Sequence, residues 1–138
     1  MTAGRPGYQL DASAVLAVML DEPGNERVCA VIDRASIHAV NVAEVVAKLI
    51  RAGATPEKAR GLVEELQLHV GEELGFRQAA DCGALIAATR KLGLSLGDCV
   101  CLTCAAASGK VAMTAERRWK ELEGRKLAGA PVRVELIR

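Results

Sequence analysis

The chain has 138 residues, of which 51% are hydrophobic and only 2% aromatic, with 18 Lys and Arg against 17 Asp and Glu. This length predicts one domain, residues 1–138, with an aliphatic core, and a net charge of +1 excludes nucleic-acid binding through the field of the whole molecule. The sequence shows no secretory signal and no apolar run that spans a bilayer, so we expect a soluble cytoplasmic protein without membrane contact, whose five cysteines are reduced.

The hydrophobic pattern predicts an α/β domain. Short apolar runs alternate with longer segments of helical period, and this alternation is typical of parallel βαβ units. The predicted elements in chain order are a strand at 8–10, helices at 13–20 and 26–34, a strand at 36–40, a helix at 41–53, a helix from 56, a strand at 66–70, helices at 76–93 and 95–109, a strand at 110–113, a helix at 115–124 and a strand at 132–137. With helices on both faces of a central, mostly parallel sheet, the expected architecture is a three-layer α/β/α sandwich.

Four carboxylates fall in or just before the first turn of a predicted helix: Asp11, Glu44, Asp98 and Glu116. Taken singly, each is explained as a helix cap, because the segments NVAE and SLGD have the spacing of a capping box and the helix dipole favours acids there. Taken together, they predict a site, because the carboxyl ends of parallel strands meet at one edge of a sheet. Like charges about 4 Å apart repel by about 4 kcal/mol near a protein surface, whereas Ser or Asn caps a helix without repulsion.

A divalent cation would remove this repulsion. Oxygen ligands without His or Cys suit Mg²⁺ or Mn²⁺ better than zinc. An ion held in this way activates water against a phosphodiester and stabilises the leaving oxygen. The four acids therefore point to metal-dependent phosphodiester chemistry.

Four segments of the chain carry a family pattern: LDASAVLAVMLDEPG, NVAEVVAKL, LSLGDCVCLTCA and VAMTAERRWKEL. In order and spacing they resemble the signature segments of PIN-domain ribonucleases, and the nearest group is the VapC-type toxins of bacterial toxin–antitoxin pairs. The similarity extends over residues 8–122. It implies a parallel-sheet sandwich, an acidic Mg²⁺ or Mn²⁺ site, endoribonuclease activity on structured RNA (a tRNA or an rRNA loop), a homodimer, and a small antitoxin encoded alongside.

The resemblance also implies roles for the acids. It places the first three acids of the family on Asp11, Glu44 and Asp98. The fourth, typically Asp in the family, falls on Glu116. Asp11 and Asp98 are expected to bind the metal directly, whereas Glu44 and Glu116 are expected to orient waters or a second ion.

Polar and basic residues flank these acids. Ser13 and Thr114 match the small hydroxyl residues that support the first and fourth acids in the family. Arg117 and Arg118 follow the fourth acid in a C-terminal stretch, residues 110–138, with a net charge of +4. They are candidates for contact with RNA phosphates, and the alternative for both is a solvated helix face.

Two other features have simpler explanations. Trp119 can stack on a base, but a single Trp in an amphipathic helix favours a core position. Cys101 and Cys104 form a C-x-x-C, yet no second ligand pair is present for zinc and no thioredoxin-like context surrounds them. At a spacing of three on a helix, both cysteines are expected to pack inward.

A rival function is a catalytically weak binding module. The same fold with Glu in place of the fourth Asp would serve as an RNA- or protein-binding adaptor. Phosphoryl transfer through an aspartyl-phosphate is disfavoured, because Asp11 is followed by Ala12 and Ser13 and not by a D-x-D pattern.

Overall fold

The computed structural model describes residues 6–138. The strands are Tyr8–Leu10 (β1), Ala35–His38 (β2), His69–Gly71 (β3), Val111–Thr114 (β4), Lys126–Leu127 (β5), Ala130–Pro131 (β6) and Val134–Leu136 (β7). The α-helices are Ala12–Met19 (α1), Asn25–Val31 (α2), Ala39–Arg51 (α3), Pro56–Glu65 (α4), Phe76–Ala88 (α5) and Leu96–Ala107 (α6). None of the helices in the described part of the chain is long and apolar enough to cross a bilayer.

A five-stranded sheet in the order β3-β2-β1-β4-β7 forms the middle layer. Every neighbouring pair in it is parallel. Apolar side chains alternate between its faces, as the two-residue period of a strand requires. Leu10 and Ile37 face a core shared with α1 to α4, whereas Ala112 and Val134 face a second core shared with α5 and α6. The predicted three-layer α/β/α sandwich is therefore confirmed.

The start of α3 differs from the prediction. The predicted strand 36–40 ends at His38, and α3 begins at Ala39. The reason is that the His38 side chain caps the helix, with Nδ1 accepting a hydrogen bond from the Val40 N–H at 3.0 Å. Asn41 therefore lies inside the first turn of α3, and the prediction that it opens the helix is wrong.

Three other segments near the C-terminus depart from the predicted elements. The helix predicted to reach residue 93 ends at Ala88, and a short 3₁₀ turn, Arg90–Leu92, follows. The helix predicted at 115–124 is a 3₁₀ helix, Arg117–Leu122. The antiparallel hairpin β5–β6 has no counterpart in the prediction, because its turn residues, Ala128 (φ 54°) and Gly129 (φ 79°), lack the Asn-Gly or Asp-Gly signal of such turns.

Candidate active site

Asp11 follows β1 and caps α1, so its carboxylate lies at the carboxyl edge of the sheet. The residue is only 3% exposed. Oδ1 accepts hydrogen bonds from Ser13 Oγ at 2.7 Å and from the Ala14 N–H at 3.0 Å. Oδ2 accepts a hydrogen bond from Thr114 Oγ1 at 2.8 Å. Asp11 is therefore a helix cap and also the centre of a buried polar cluster.

Two hydroxyl groups hold the Asp11 carboxylate in place. Ser13 and Thr114 each donate their one hydroxyl hydrogen to Asp11, so the 3.2 Å separation of the two hydroxyl oxygens is a contact without a hydrogen between them. The Ala115 N–H donates to Ser13 Oγ at 2.9 Å, and the Glu116 N–H donates to Thr114 Oγ1 at 2.9 Å. The backbone after β4 thus orients both hydroxyls toward Asp11. Their supporting role in catalysis stays a prediction.

Within the described part of the chain, Asp11 has no countercharge. Burial raises the pKa of the Asp11 carboxyl from 3.8 to about 6, although hydrogen bonds from Ser13, Ala14 and Thr114 act in the opposite direction. The negative charge of Asp98 raises this pKa further. Among residues 6–138, the ion pairs do not include Asp11. A bound cation would supply the missing positive charge.

Asp98 lies in the first turn of α6, where the predicted capping box is confirmed. The Ser95 N–H donates to Asp98 Oδ2 at 2.8 Å, and the Asp98 N–H donates to Ser95 Oγ at 3.1 Å. Asp98 Oδ1 accepts no hydrogen bond within the described part of the chain. One carboxylate oxygen is thus occupied by the cap, and the other is free to bind a ligand.

Glu44 is positioned by a buried asparagine that the sequence analysis assigned only to capping. Asn41 is 0% exposed, and its Nδ2 donates to Glu44 Oε1 at 2.8 Å and to the Gly97 carbonyl at 3.1 Å. The proposed capping box between Asn41 and Glu44 is wrong, because Glu44 lies in the second turn of α3. The spacing of three residues still signals that the two side chains share a helix face, but the link to Gly97 has no sequence signal.

The absence of a side chain at Gly97 leaves space for the Glu44 carboxylate. A Cβ placed at position 97 would overlap the carboxylate of Glu44. Asn41 Oδ1 is buried close by without a hydrogen-bond partner among residues 6–138. A small residue on α6 and an amide on α3 therefore fix where the Glu44 carboxylate lies.

Glu116 is half-exposed. Its Oε2 forms an ion pair with Arg118 at 3.4 Å, and the two side chains are 45% and 49% exposed. The Arg118 guanidinium also donates to the Leu92 carbonyl. Arg117 is exposed, and no hydrogen bond of its side chain occurs in the described residues, so it is the freer of the two predicted RNA contacts.

The charges of three of the acids raise the pKa of one buried thiol. Burial raises the pKa of Cys101 well above its usual value, and the charges of Asp11, Asp98 and Glu44 raise it further. The three carboxylates therefore share one region at the carboxyl edge of the sheet. Even so, no three His, Cys, Asp or Glu side chains among residues 6–138 are placed to hold a metal ion. The convergence of these acids on a metal ion therefore stays a prediction.

The chemistry of these donors fits a hard divalent ion. The donors are carboxylate oxygens, which Mg²⁺ and Mn²⁺ prefer. Asp11 lacks a countercharge, and Asp98 Oδ1 and Glu44 Oε2 accept no hydrogen bond in the described part of the chain. Asp11 and Asp98 remain the expected ligands.

Burial shows whether Trp119 is a core residue or can stack on a base, and whether Cys101 and Cys104 pack inward. Trp119 is 0% exposed in the core beneath α5 and α6, so it is a core residue and does not stack on a base. Cys101 is fully buried, as expected, whereas Cys104 is only half-buried.

The PIN domain family profile matches residues 8–125 of the chain. This chain belongs to the PIN domain family. PIN domains are generally nucleases. The comparison with curated protein sequences gives no match.

Solved structures share this PIN fold over almost the whole chain. The DNA-bound VapBC of Salmonella typhimurium is 20% identical, with a TM-score of 0.70, covering 97% of this chain and 100% of that one. VapBC2 of Rickettsia felis, bound to a DNA fragment from its promoter, is 12% identical, with a TM-score of 0.65 and coverage of 94% and 97%. PAE2754 of Pyrobaculum aerophilum is 21% identical, with a TM-score of 0.57 and coverage of 91% and 89%. At these identities the likeness shows a common fold.

Without a divalent ion, the contribution of Asp11 to the stability of this PIN domain is expected to fall as the pH rises. The pKa of about 6 in the folded state exceeds the ordinary 3.8, so the folded protein binds this proton more tightly than the unfolded chain does. The contribution is fully present below about pH 4 and is lost as the pH rises through about 6, a change of about 3 kcal/mol at about 1.4 kcal/mol per pH unit.

Urea unfolding in EDTA from about pH 4 to about pH 8 measures this change. Other carboxylates titrate over the same range, so the useful quantity is the difference in unfolding free energy between the wild type and Asp11→Asn. A difference that stays constant over this range would contradict the assignment.

Proposed function

We propose that this chain is a Mg²⁺- or Mn²⁺-dependent endoribonuclease that cleaves structured RNA, a tRNA or an rRNA loop, as the toxin of a type II toxin–antitoxin pair. The observation that carries the proposal is the buried Asp11 carboxylate, which has no countercharge among residues 6–138 at a sheet edge shared with Asp98 and Glu44. Membership of the PIN family supports nuclease chemistry. The fold shared with two VapBC proteins supports the toxin assignment.

Each site residue has a distinct task in this proposal. Asp11 and Asp98 hold the metal ion, and Ser13 and Thr114 keep the Asp11 carboxylate fixed by hydrogen bonds at 2.7 and 2.8 Å. A divalent ion bound there would make a water more acidic and would stabilise the charge that develops on the leaving oxygen. This arrangement keeps the ligands oriented before substrate arrives.

The remaining polar groups act on water and on the RNA backbone. Glu44, held by Asn41, accepts the proton of the attacking water or orients it. Glu116 lies at the exposed margin of the site, where it orients further water. Arg117 donates to a phosphate of the RNA, and Arg118 joins it when the substrate phosphate replaces the exposed ion pair with Glu116, which is worth about 1 kcal/mol or less.

The proposed partners follow from the motif resemblance. The toxin would form a homodimer and would be neutralised by a small antitoxin encoded beside it. Because the proposed substrates are tRNA or rRNA, the protein would act in the cytoplasm.

Cleavage of total RNA by purified protein in Mg²⁺ tests the proposed activity. The wild type is expected to give discrete fragments, and Asp98→Asn is expected to give none. Asp33→Asn, a charge removal at an exposed residue, is the matched control and should cleave like the wild type. Equal cleavage by the wild type and Asp98→Asn would overturn the mechanism.

The alternative, a binding module without catalysis, is favoured by one observation: no three potential ligands among residues 6–138 are placed to hold a metal. Thermal unfolding in increasing Mn²⁺ separates the two functions, because a ligand that binds only the folded state raises its stability, by about 2.7 kcal/mol at about 100 times Kd. A nuclease is expected to show this rise. An unchanged melting temperature favours the adaptor.

A further inference from the structure

A cavity of about 440 Å³ lies on the sheet face that packs against α5 and α6. None of the four acids of the candidate active site lines it. Its walls include Gln9, Ser36 and Lys110 at one end and Glu72 and Glu73 at the other. Its size is that of a pocket for a small organic molecule.

The floor of this cavity is polar. Gln9 and Ser36 are cross-strand partners on β1 and β2, and each is 4% exposed. Their chain neighbours Leu10 and Ile37 face the opposite, apolar core. Gln and Ser are uncommon at such buried positions, and a break in the pattern of a core strand is typical of a functional position.

Two successive hydrogen bonds orient the polar side chains of the floor. Lys110 Nζ donates to Ser36 Oγ at 2.7 Å, and Ser36 Oγ donates to Gln9 Oε1 at 3.0 Å. An ammonium group only donates, so Ser36 Oγ accepts from Lys110. Ser36 Oγ lies closer to Gln9 Oε1, at 3.0 Å, than to its other acceptor, the Tyr8 carbonyl, at 3.4 Å. The Gln9 amide therefore presents its NH₂ group away from Ser36, and Gln9 Nε2 has no acceptor among residues 6–138.

Lys110 brings an uncompensated positive charge to the same end of the cavity. Among the described residues its ammonium lies in no ion pair, and only one of its three hydrogens is used by Ser36. Glu72 and Glu73 follow the edge strand β3, at the carboxyl ends of the strands, whereas Lys110 precedes the interior strand β4, at their amino ends. The cavity thus has a donor-rich cationic end and an acidic end.

We propose that this cavity binds a small organic anion, whose phosphate or carboxylate group accepts hydrogen bonds from Lys110 Nζ and Gln9 Nε2. Donors that lack protein acceptors recognise an oxyanion, and hydrogen bonds to a charged partner are the stronger kind. The volume of about 440 Å³ leaves room beside this group for an organic body that contacts Val70 and His69. The proposal rests on the cavity alone and is independent of the nuclease function.

Titrations with inorganic phosphate, citrate and adenosine 5′-monophosphate test this binding, at an ionic strength held constant with NaCl. The Gln9 side-chain amide in a ¹H–¹⁵N spectrum is expected to shift saturably with at least one of the three. A response to phosphate and the nucleotide, but not to citrate, identifies a phosphate group, and the reverse identifies a carboxylate. No saturable shift with any probe would overturn the proposal.

Substitutions at Lys110 and Gln9 test whether the anion binds in this cavity. Calorimetry is expected to show at least tenfold weaker affinity for Lys110→Met, with affinity largely restored in Lys110→Arg. Lys58→Met, which removes an exposed cation on α4, is the control and should bind like the wild type. If Lys110→Met does not fold, Gln9→Leu serves instead, since it keeps the cation and removes the amide donor. Unchanged affinity in either folded variant would overturn the site.

Discussion

Asp11→Asn is expected to stabilise the metal-free protein at about pH 8 and to abolish RNA cleavage. The substitution removes a buried charge whose pKa is raised to about 6 by desolvation, so the gain in unfolding free energy is up to about 3 kcal/mol. The amide oxygen still accepts from Ser13 and Ala14, and the Thr114 hydroxyl can turn to accept from the new NH₂ group. The fold is therefore preserved.

The loss of activity has a separate cause. An asparagine carries no charge to bind a divalent ion, and we expect cleavage to fall at least a hundredfold, which corresponds to about 2.7 kcal/mol of transition-state stabilisation. A substitution that raises stability but lowers activity identifies a residue that serves function and destabilises the fold. Urea unfolding in EDTA and an RNA cleavage assay measure the two effects on the same preparation. A less stable Asp11→Asn protein that still cleaves RNA would contradict both the electrostatic argument and the ligand role.

Gly97→Ala is expected to lower RNA cleavage at least tenfold while changing the unfolding free energy by less than about 1 kcal/mol. A Cβ at position 97 would overlap the Glu44 carboxylate, and the end of a flexible side chain moves more easily than backbone does. Glu44 should therefore swing away and lose its bond to Asn41. A glycine within a helix costs roughly 0.5–1 kcal/mol relative to alanine, and this gain offsets part of the lost contact.

A double-mutant cycle with Glu44→Ala tests this explanation. If Gly97→Ala acts only by displacing the Glu44 carboxylate, it should cause no further loss of activity once that carboxylate has been removed. Gly83→Ala is the matched control, because a Cβ there meets no atom within 4 Å. Additive losses in the double variant would show that Gly97 acts through some other contact.

The layers of the fold could be predicted because they depend on local patterns. The alternation of apolar strands and helical segments gave the parallel sheet, and Ser95 with Asp98 formed the capping box that their spacing predicts. The helix α4 likewise begins at Pro56, as predicted. Each of these signals involves residues within a few positions of one another, so the sequence contains the whole interaction.

The features that sequence reasoning missed depend on contacts between distant segments or on residue types that are rare at their structural position. The link from Asn41 on α3 to the Gly97 carbonyl on α6 spans 56 positions, and no local pattern signals it. His38 caps α3 with its ring in place of the usual Ser, Thr, Asn or Asp. The relative placement of the four carboxylates depends on side-chain torsions, which the order of residues does not determine.

The raised pKa of the thiol beneath the acids has a practical consequence for chemical labelling. Only the thiolate attacks electrophiles, and burial keeps Cys101, like Cys82, Cys99 and Cys104, protonated at neutral pH. Cys29, on α2, is the exposed thiol among the five. A maleimide dye should therefore attach at that one position, giving a fluorescent protein whose four candidate-site carboxylates remain unmodified.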